Sequence, residues 1–284
     1  FGPRVVIPAS VDALKRHSRL TLQLVGQQDL LAPVLERSLK KVADKSLSSR
    51  ISIINADNII ACNEKPSHAL RKRADTSMFR AIGQVADGSA QACISAGNTG
   101  ALMALGRFAL KMLPGIDRPA IITAIPSASG VSYMLDLGAN VDCSAEHLLQ
   151  FAIMGSVMTR AVEGISEPRI GLLNVGAEEI KGNEQVKLAS RLIREHGGLN
   201  YVGFIEGDDI FTGKVDVVVR VERARHAFRH GTIAALLFQH HLPPSPPPVP
   251  QMRAWNDRRF WIHCCLGDNK VLCVVLSPHH SCVL

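Results

Sequence analysis

The sequence contains no apolar run near the roughly 18 residues that a membrane-spanning helix needs. Arg107, Lys111 and Gln239 interrupt its longest apolar stretches, so a spanning helix is not expected. Cysteine is scarce, at seven in 284 residues, which excludes a disulfide-stapled mini-protein. Glycine and proline, at 22 and 15, are too few for a collagen-like chain or for low-complexity disorder throughout. No basic-then-apolar leader precedes Phe1, so no secretory signal is read, and the chain is expected to begin partway into a longer protein. What remains is ordinary globular composition, 46% hydrophobic and 20% charged, long enough to bury a full core.

The formal net charge of +7 hints at nucleic acid until it is divided along the chain. Residues 220–284 carry eight Lys/Arg against three Asp/Glu, whereas residues 1–219 are nearly neutral, with 24 against 22. The basic excess belongs to the tail, and no nucleic-acid partner is expected. Other properties break at the same place. Residues 1–219 hold 20 of the 22 Gly and no Trp, whereas the tail holds both Trp, seven of eleven His and four of seven Cys. Pro243, Pro244, Pro246, Pro247, Pro248 and Pro250 crowd one short stretch, which reads as extended polyproline-like chain. Two readings of residues 220–284 follow: an appended interaction segment, or out-of-frame translation. Either way the segment is expected to be poorly ordered, without a core of its own.

The first 219 residues alternate short β-branched runs with helix-period stretches. Strands are expected at 20–25, 51–55, 92–95, 120–125, 131–137, 169–175, 201–204 and 215–219. Helices are expected at 30–45, 76–86, 99–113, 145–162 and 183–195. This alternation predicts an α/β fold with a mostly parallel sheet covered by helices. Ligands of such sheets bind where strand ends turn into helices.

Three such turns carry suitable chemistry. In Ser95-Ala96-Gly97-Asn98-Thr99-Gly100, glycines surround a helix start whose N–H groups and dipole favour an anion. The same residues would also serve as a plain Asn/Thr cap. In Asp136-Leu137-Gly138-Ala139-Asn140-Val141-Asp142, carboxylates and an amide could orient a nucleophile or hold a divalent metal, or simply end a strand. The adjacent Cys143 has no local His and is not expected to be a nucleophile. In Asn174-Val175-Gly176-Ala177-Glu178-Glu179-Ile180-Lys181-Gly182-Asn183-Glu184, Lys181 stands at a helix start against the dipole preference. That cost suggests a cation meant for an anionic substrate or a transition-state charge. Gly182 and Asn183 shape the loop. Arg71, Lys72 and Arg73 form a basic run suited to an acidic partner or to a solvated helix face. The histidines at 68, 147 and 196 are isolated and read as structural. Cys264, Cys265, Cys273, His279 and Cys282 fit no zinc spacing, and neither metal nor cofactor is expected.

Taken together, PSHALRKR with DTSM, SAGNTGALMALGRFALKMLPGIDRPA, LDLGANVDC with EHLLQFAIMGS, PRIGLLNVGAEEIKGNE and EGDDI with KVDVVV resemble the bacterial phosphate acyltransferase family (PlsX) of phospholipid synthesis. The resemblance covers residues 1–219. It implies a Rossmann-like α/β/α sandwich, similar to phosphotransacetylases and isocitrate-dehydrogenase-like enzymes, in a cytoplasmic, peripherally membrane-associated homodimer. The implied reaction transfers a long-chain acyl group from acyl carrier protein to inorganic phosphate. The acyl phosphate then passes to a membrane glycerol-3-phosphate acyltransferase. Ser95, Gly97, Asn98, Thr99 and Gly100, with Gly176 and Gly182, would cradle phosphate or substrate. Lys181, Asn183, Asp136 and Asn140 would serve catalysis, and Arg71, Lys72 and Arg73 would meet the carrier protein. Members have a strand and D-A-M-G-G-D before the F-G-P seen here, and a D-G-F-x-G-N turn after V-D-V-V-V. Both are missing, which favours the frame-error reading of the tail and predicts little or no turnover by this chain. The alternatives are a phosphotransacetylase-like enzyme acting on a small acyl-CoA and a non-functional truncated product.

Overall fold

The computed structural model describes residues 2–136, 143–174 and 184–220, and the backbone of 270–275. Its elements run α1 (Pro3–Arg16), β1 (Leu20–Gly26), α2 (Gln28–Lys40), a 3-10 turn (Lys45–Arg50), β2 (Ile51–Asn55), α3 (Pro66–Arg71), α4 (Ser77–Ala86), β3 (Ala92–Ser95) and α5 (Thr99–Leu110). They continue with β4 (Ile122–Ser127), β5 (Gly130–Leu135), α6 (Ala145–Glu163), β6 (Arg169–Leu173), α7 (Glu184–Glu195), β7 (Asn200–Ile205), α8 (Asp209–Thr212), β8 (Val217–Val219) and β9 (Lys270–Val275). The chain divides into two units, residues 1–112 with 261–284, and residues 113–260.

The first unit is built on a parallel four-stranded sheet in the order β2-β1-β9-β3. Because side chains alternate along a strand, each strand feeds two cores. Leu20, Leu22 and Leu24, with Ile53, Ala92 and Ile94, face Ile7, Val11 and Leu14 of α1 and Leu31 and Leu35 of α2. Val25, Ile54 and Cys93 face the other way, onto Met78, Ala81 and Ile82 of α4 and Ala101 and Leu105 of α5. Helices therefore cover both faces, giving the three layers expected of this fold class. The sequence reading had no helix at 3–16, and the helix found there contains Pro8. The helix forms regardless, since Ile7, Val11 and Leu14 at i, i+4 and i+7 bury one stripe. Helix α2 stops at Lys40 rather than 45, where Asp44 begins the 3-10 turn by accepting a hydrogen bond from the Ser46 N–H at 2.9 Å.

The second unit carries a five-stranded sheet in the order β4-β5-β8-β6-β7, parallel except for the β4–β5 hairpin. Leu135, Ile170, Leu172, Val217 and Val219 pack against Leu148, Phe151 and Ala152 of α6 and Val186, Ala189 and Ile193 of α7. Met134, Leu173, Ile205 and Val218 form the opposite face with Ile210 of α8. Arg169, opening β6, donates to Asp216 from its backbone N–H at 2.8 Å and through its guanidinium at 3.0 and 2.8 Å, tying the amino ends of β6 and β8. Among the described residues, no helix is long and apolar enough to cross a membrane.

Of residues 220–284, the structure describes Arg220 and β9; the expectation for the remainder lies outside the described residues. The tail contributes a strand where the sequence reading had none.

Candidate functional site

In the first unit, β3 ends at Ser95 and α5 starts at Thr99, so the turn between them stands at the carboxyl edge of the sheet. The Ser95 hydroxyl accepts from the Gly97 N–H at 3.1 Å, which tightens the turn. Asn98 is the N-cap: its side-chain oxygen accepts from the Ala101 N–H at 3.0 Å. Its amide also donates to the carbonyls of Ala61 at 3.0 Å and Glu64 at 2.7 Å. Asn98 is only 7% exposed, and these three bonds occupy the side chain. The Asn98 side chain is therefore a brace, and the turn's offer to an anion comes from its backbone. Thr99 and Gly100 are the first helical residues, and their N–H groups have no carbonyl within the helix to meet.

The two glycines have steric reasons. A Cβ on Gly97 would stand 3.2 Å from the Met78 methyl, and one on Gly100 would stand 3.0 Å from the ring of Pro66, which opens α3. Gly100 thus lets α5 approach α3. Of the basic run, Arg71 and Lys72 are exposed. Arg73 is not a free cation: its guanidinium lies 4.3 Å from the ring centre of Phe108 and 5.9 Å from that of Phe79, and donates to the Leu70 carbonyl at 2.7 Å.

In the second unit, Asp136, Arg220, Asn174 and Glu206 follow the last residues of β5, β8, β6 and β7, along one carboxyl edge. Asp136 is 4% exposed and has φ +63°, a left-handed backbone that costs a residue other than glycine roughly 1–3 kcal/mol. Its N–H donates to the Ile121 carbonyl at 2.7 Å. Its carboxylate accepts from the Cys143 thiol at 3.6 Å. Asn174 is buried, and its N–H bonds the Ile205 carbonyl at 3.0 Å. His147 is a structural group: it completes a capping box with Ser144 at the start of α6. Asn140, Asp142, Gly176, Lys181, Gly182 and Asn183 lie outside the described residues.

Two concavities lie among the described residues, one at a carboxyl edge and one at an amino edge. One, of about 540 Å³, lies by Gln27, Gln28, Asp29, Leu30, Asn55 and Asp57, where β1 and β2 end. Its two carboxylates disfavour an anion. The other, of about 280 Å³, includes Arg160, Glu167, Pro168 and Asn200, at the amino ends of β6 and β7. That is the wrong edge of a parallel sheet for a ligand. Among the described residues, no group of His, Cys, Asp and Glu could hold a metal ion.

The family model described as "Fatty acid synthesis protein" matches residues 1–222. Curated relatives named phosphate acyltransferase are 54% identical over 219 residues in Pseudomonas fluorescens (strain Pf0-1) and 56% in Pseudomonas savastanoi pv. phaseolicola. A third, from Halorhodospira halophila, is 53% identical over 218 residues. Each alignment covers 77% of this chain but only 62–63% of the relative, so the chain spans less than two thirds of their length. Among solved structures, a EutD phosphotransacetylase from Staphylococcus aureus is 13% identical with TM-score 0.49, over 83% of this chain and 87% of that one. A branched-chain phosphotransacylase from Enterococcus faecalis V583 is 12% identical with TM-score 0.46, over 92% and 94%.

Proposed function

Because this chain belongs to the fatty acid synthesis protein family, we propose that residues 1–219 carry the site of a phosphate acyltransferase, which moves a long-chain acyl group from acyl carrier protein to inorganic phosphate. The observation that carries this reading is the turn between β3 and α5, capped by Asn98 at a strand end, whose Thr99 and Gly100 N–H groups have no carbonyl within the helix to meet. Phosphate is already a competent nucleophile, so the protein needs no Ser or Cys triad. It has to hold the anion beside the thioester and stabilise the oxyanion that develops.

A phosphate oxygen adds to the thioester carbonyl, and the carbonyl electrons move onto oxygen. Their return expels the carrier thiolate, which takes up a proton, and acyl phosphate remains. In this reading the backbone of Gly97 to Gly100, with the hydroxyls of Ser95 and Thr99, holds phosphate. Lys181 neutralises phosphate or the oxyanion, Asn183, Asn140 and Asp136 orient the reactants, and Gly176 and Gly182 shape the loop that carries Lys181. The exposed Arg71 and Lys72 meet the acidic carrier protein, while Arg73, stacked on Phe108, sets the edge of that surface. The product serves a membrane glycerol-3-phosphate acyltransferase, and the working form is a cytoplasmic homodimer that touches the membrane peripherally. The match to the family ends at residue 222, beside the composition break, which supports reading residues 1–219 as the family's part of the chain.

The test uses the purified 284-residue chain. Millimolar phosphate should slow hydrogen exchange of the 97–100 amides, with sulfate weaker and chloride inert. Palmitoyl-carrier protein plus phosphate should release free thiol at a rate far below that of full-length relatives, because the chain departs from the family after residue 222. Phosphate that leaves the 97–100 amides unchanged would sink the reading. Thiol release faster from a short acyl-CoA than from the carrier protein would turn it toward a phosphotransacetylase.

A further inference from the structure

Strand β3 has one strand neighbour among the described residues, and that neighbour comes from beyond the family match. Residues 270–275 lie between β1 and β3, parallel to both. Leu20 to Val25 pair with Lys270 to Val275, and Ala92 to Ser95 pair with Leu272 to Val275. Without this segment β1 and β3 would stand two strand spacings apart, roughly 9–10 Å, facing each other with unpaired N–H and C=O groups. On the β1 and α5 side the surroundings are dry, since Leu24, Val25, Ala101 and Leu105 are fully buried, whereas Ala92–Ser95 of β3 are half-buried. Unpaired backbone there is costly, so the slot demands an occupant that supplies a parallel ladder on both edges.

The ladder also ends at an informative place. Its last rung joins Ser95 to Val275, and Ser95 is the residue whose hydroxyl tightens the turn into α5. The turn has two supports in this unit: the Asn98 brace onto Ala61 and Glu64 from one side, and the β9 ladder behind Ser95. A turn held by its brace alone would keep its cap but lose the strand that fixes where Ser95 stands.

We propose that residues 270–275 are the positioning strand of the Ser95–Gly100 turn, supplied within the same chain. The tail would then be a structural part of the first unit, whatever the origin of its sequence. Composition does not conflict with this, since Lys-Val-Leu-Cys-Val-Val is rich in β-formers.

Hydrogen exchange followed by mass spectrometry on the 284-residue chain tests this without phosphate or any substrate, so it stands apart from the acyl-transfer reading. In the unaltered chain, peptides covering 20–26, 92–100 and 268–276 should be protected together. Leu272→Pro removes one ladder donor from the central strand, and should speed exchange of 92–100 by about tenfold or more. Peptides from 169–173, in the other unit, should stay unchanged, which separates loss of the strand from global unfolding. Residues 268–276 exchanging like a free peptide in the unaltered chain would overturn the proposal, as would unchanged exchange of 92–100 in the variant. Protection that rises with chain concentration would place the strand in a second copy and overturn the within-chain assignment. If Leu272→Pro fails to fold, the measurement on the unaltered chain decides alone.

Discussion

Asn98 shows how much one side chain at a strand end can be asked to do. It caps α5 and ties the turn to the loop at 61–64, using every hydrogen-bonding position it is seen to fill. Asn98→Ala should cost about 2 kcal/mol, the sum of a lost cap and buried carbonyls left without a donor. A urea titration followed by far-ultraviolet circular dichroism would show it. In the same assay, Gly100→Ala should bring none of the roughly 1 kcal/mol that Ala normally gains over Gly in a helix, because its methyl meets the Pro66 ring at 3.0 Å. Asp136 is the opposite kind of residue, a buried carboxylate on a strained backbone. Asp136→Gly should relieve roughly 1 kcal/mol of strain and raise the melting temperature of the second unit. In the proposed reaction, the same change should lower turnover. For Lys181, in a version extended to the full length of the relatives, replacement by Ala should cut acyl-phosphate formation about a hundredfold, since one preorganised charge is worth roughly 3 kcal/mol. The sequence reading of Lys181 as part of a strand-end turn predicts little change in stability.

At the level of elements, β6 and β8 are stapled at their amino ends by Arg169 and Asp216. Burial alone would raise the Asp216 carboxyl, but hydrogen bonds from the Arg169 side chain and backbone outweigh it and hold the group below its ordinary range. A carboxyl lower in the folded than in the unfolded state gives stability that is complete above the unfolded value, near ~4, and lost as pH falls through the folded one. The unfolding midpoint of the second unit should therefore include a drop below about pH 4 that Asp216→Asn abolishes. At pH 7 the same variant should be weaker by about 2 kcal/mol. Most strands were legible from β-branched runs between turn residues, and 51–55 and 92–95 match to the residue. The first helix was not read at all, and α5 ends at Leu110, three residues before the expected 113, where Lys111 takes φ +65°. Candidate residues such as Ser95, Asn98 and Asp136 could be picked from glycine, Asn and Asp at strand ends. Their duties could not, because Asn98's partners lie more than thirty residues back, and nothing local says which amide is already engaged.

At the scale of the molecule, the central place of β9 sets an order of events in synthesis. Strands β1 and β3 leave the ribosome well before the strand that lies between them. At typical rates of translation, about 10–40 s pass between the emergence of Ser95 and that of Val275. Throughout that interval the nascent first unit holds two bare strand edges, a template for pairing with neighbouring chains. Closing the sheet then requires a contact between distant parts of the sequence, the kind that slows folding most. The second unit has all its described strands in hand by Val219 and faces no such delay. Ribosome-bound chains stalled well beyond residue 219 but before 270 should therefore show a protease-resistant second unit beside a first unit cut within 20–100, and chains that include residues 270–275 should gain protection there slowly. Holdase chaperones would meet the first unit chiefly through β1 and β3, for as long as residues 270–275 are unmade.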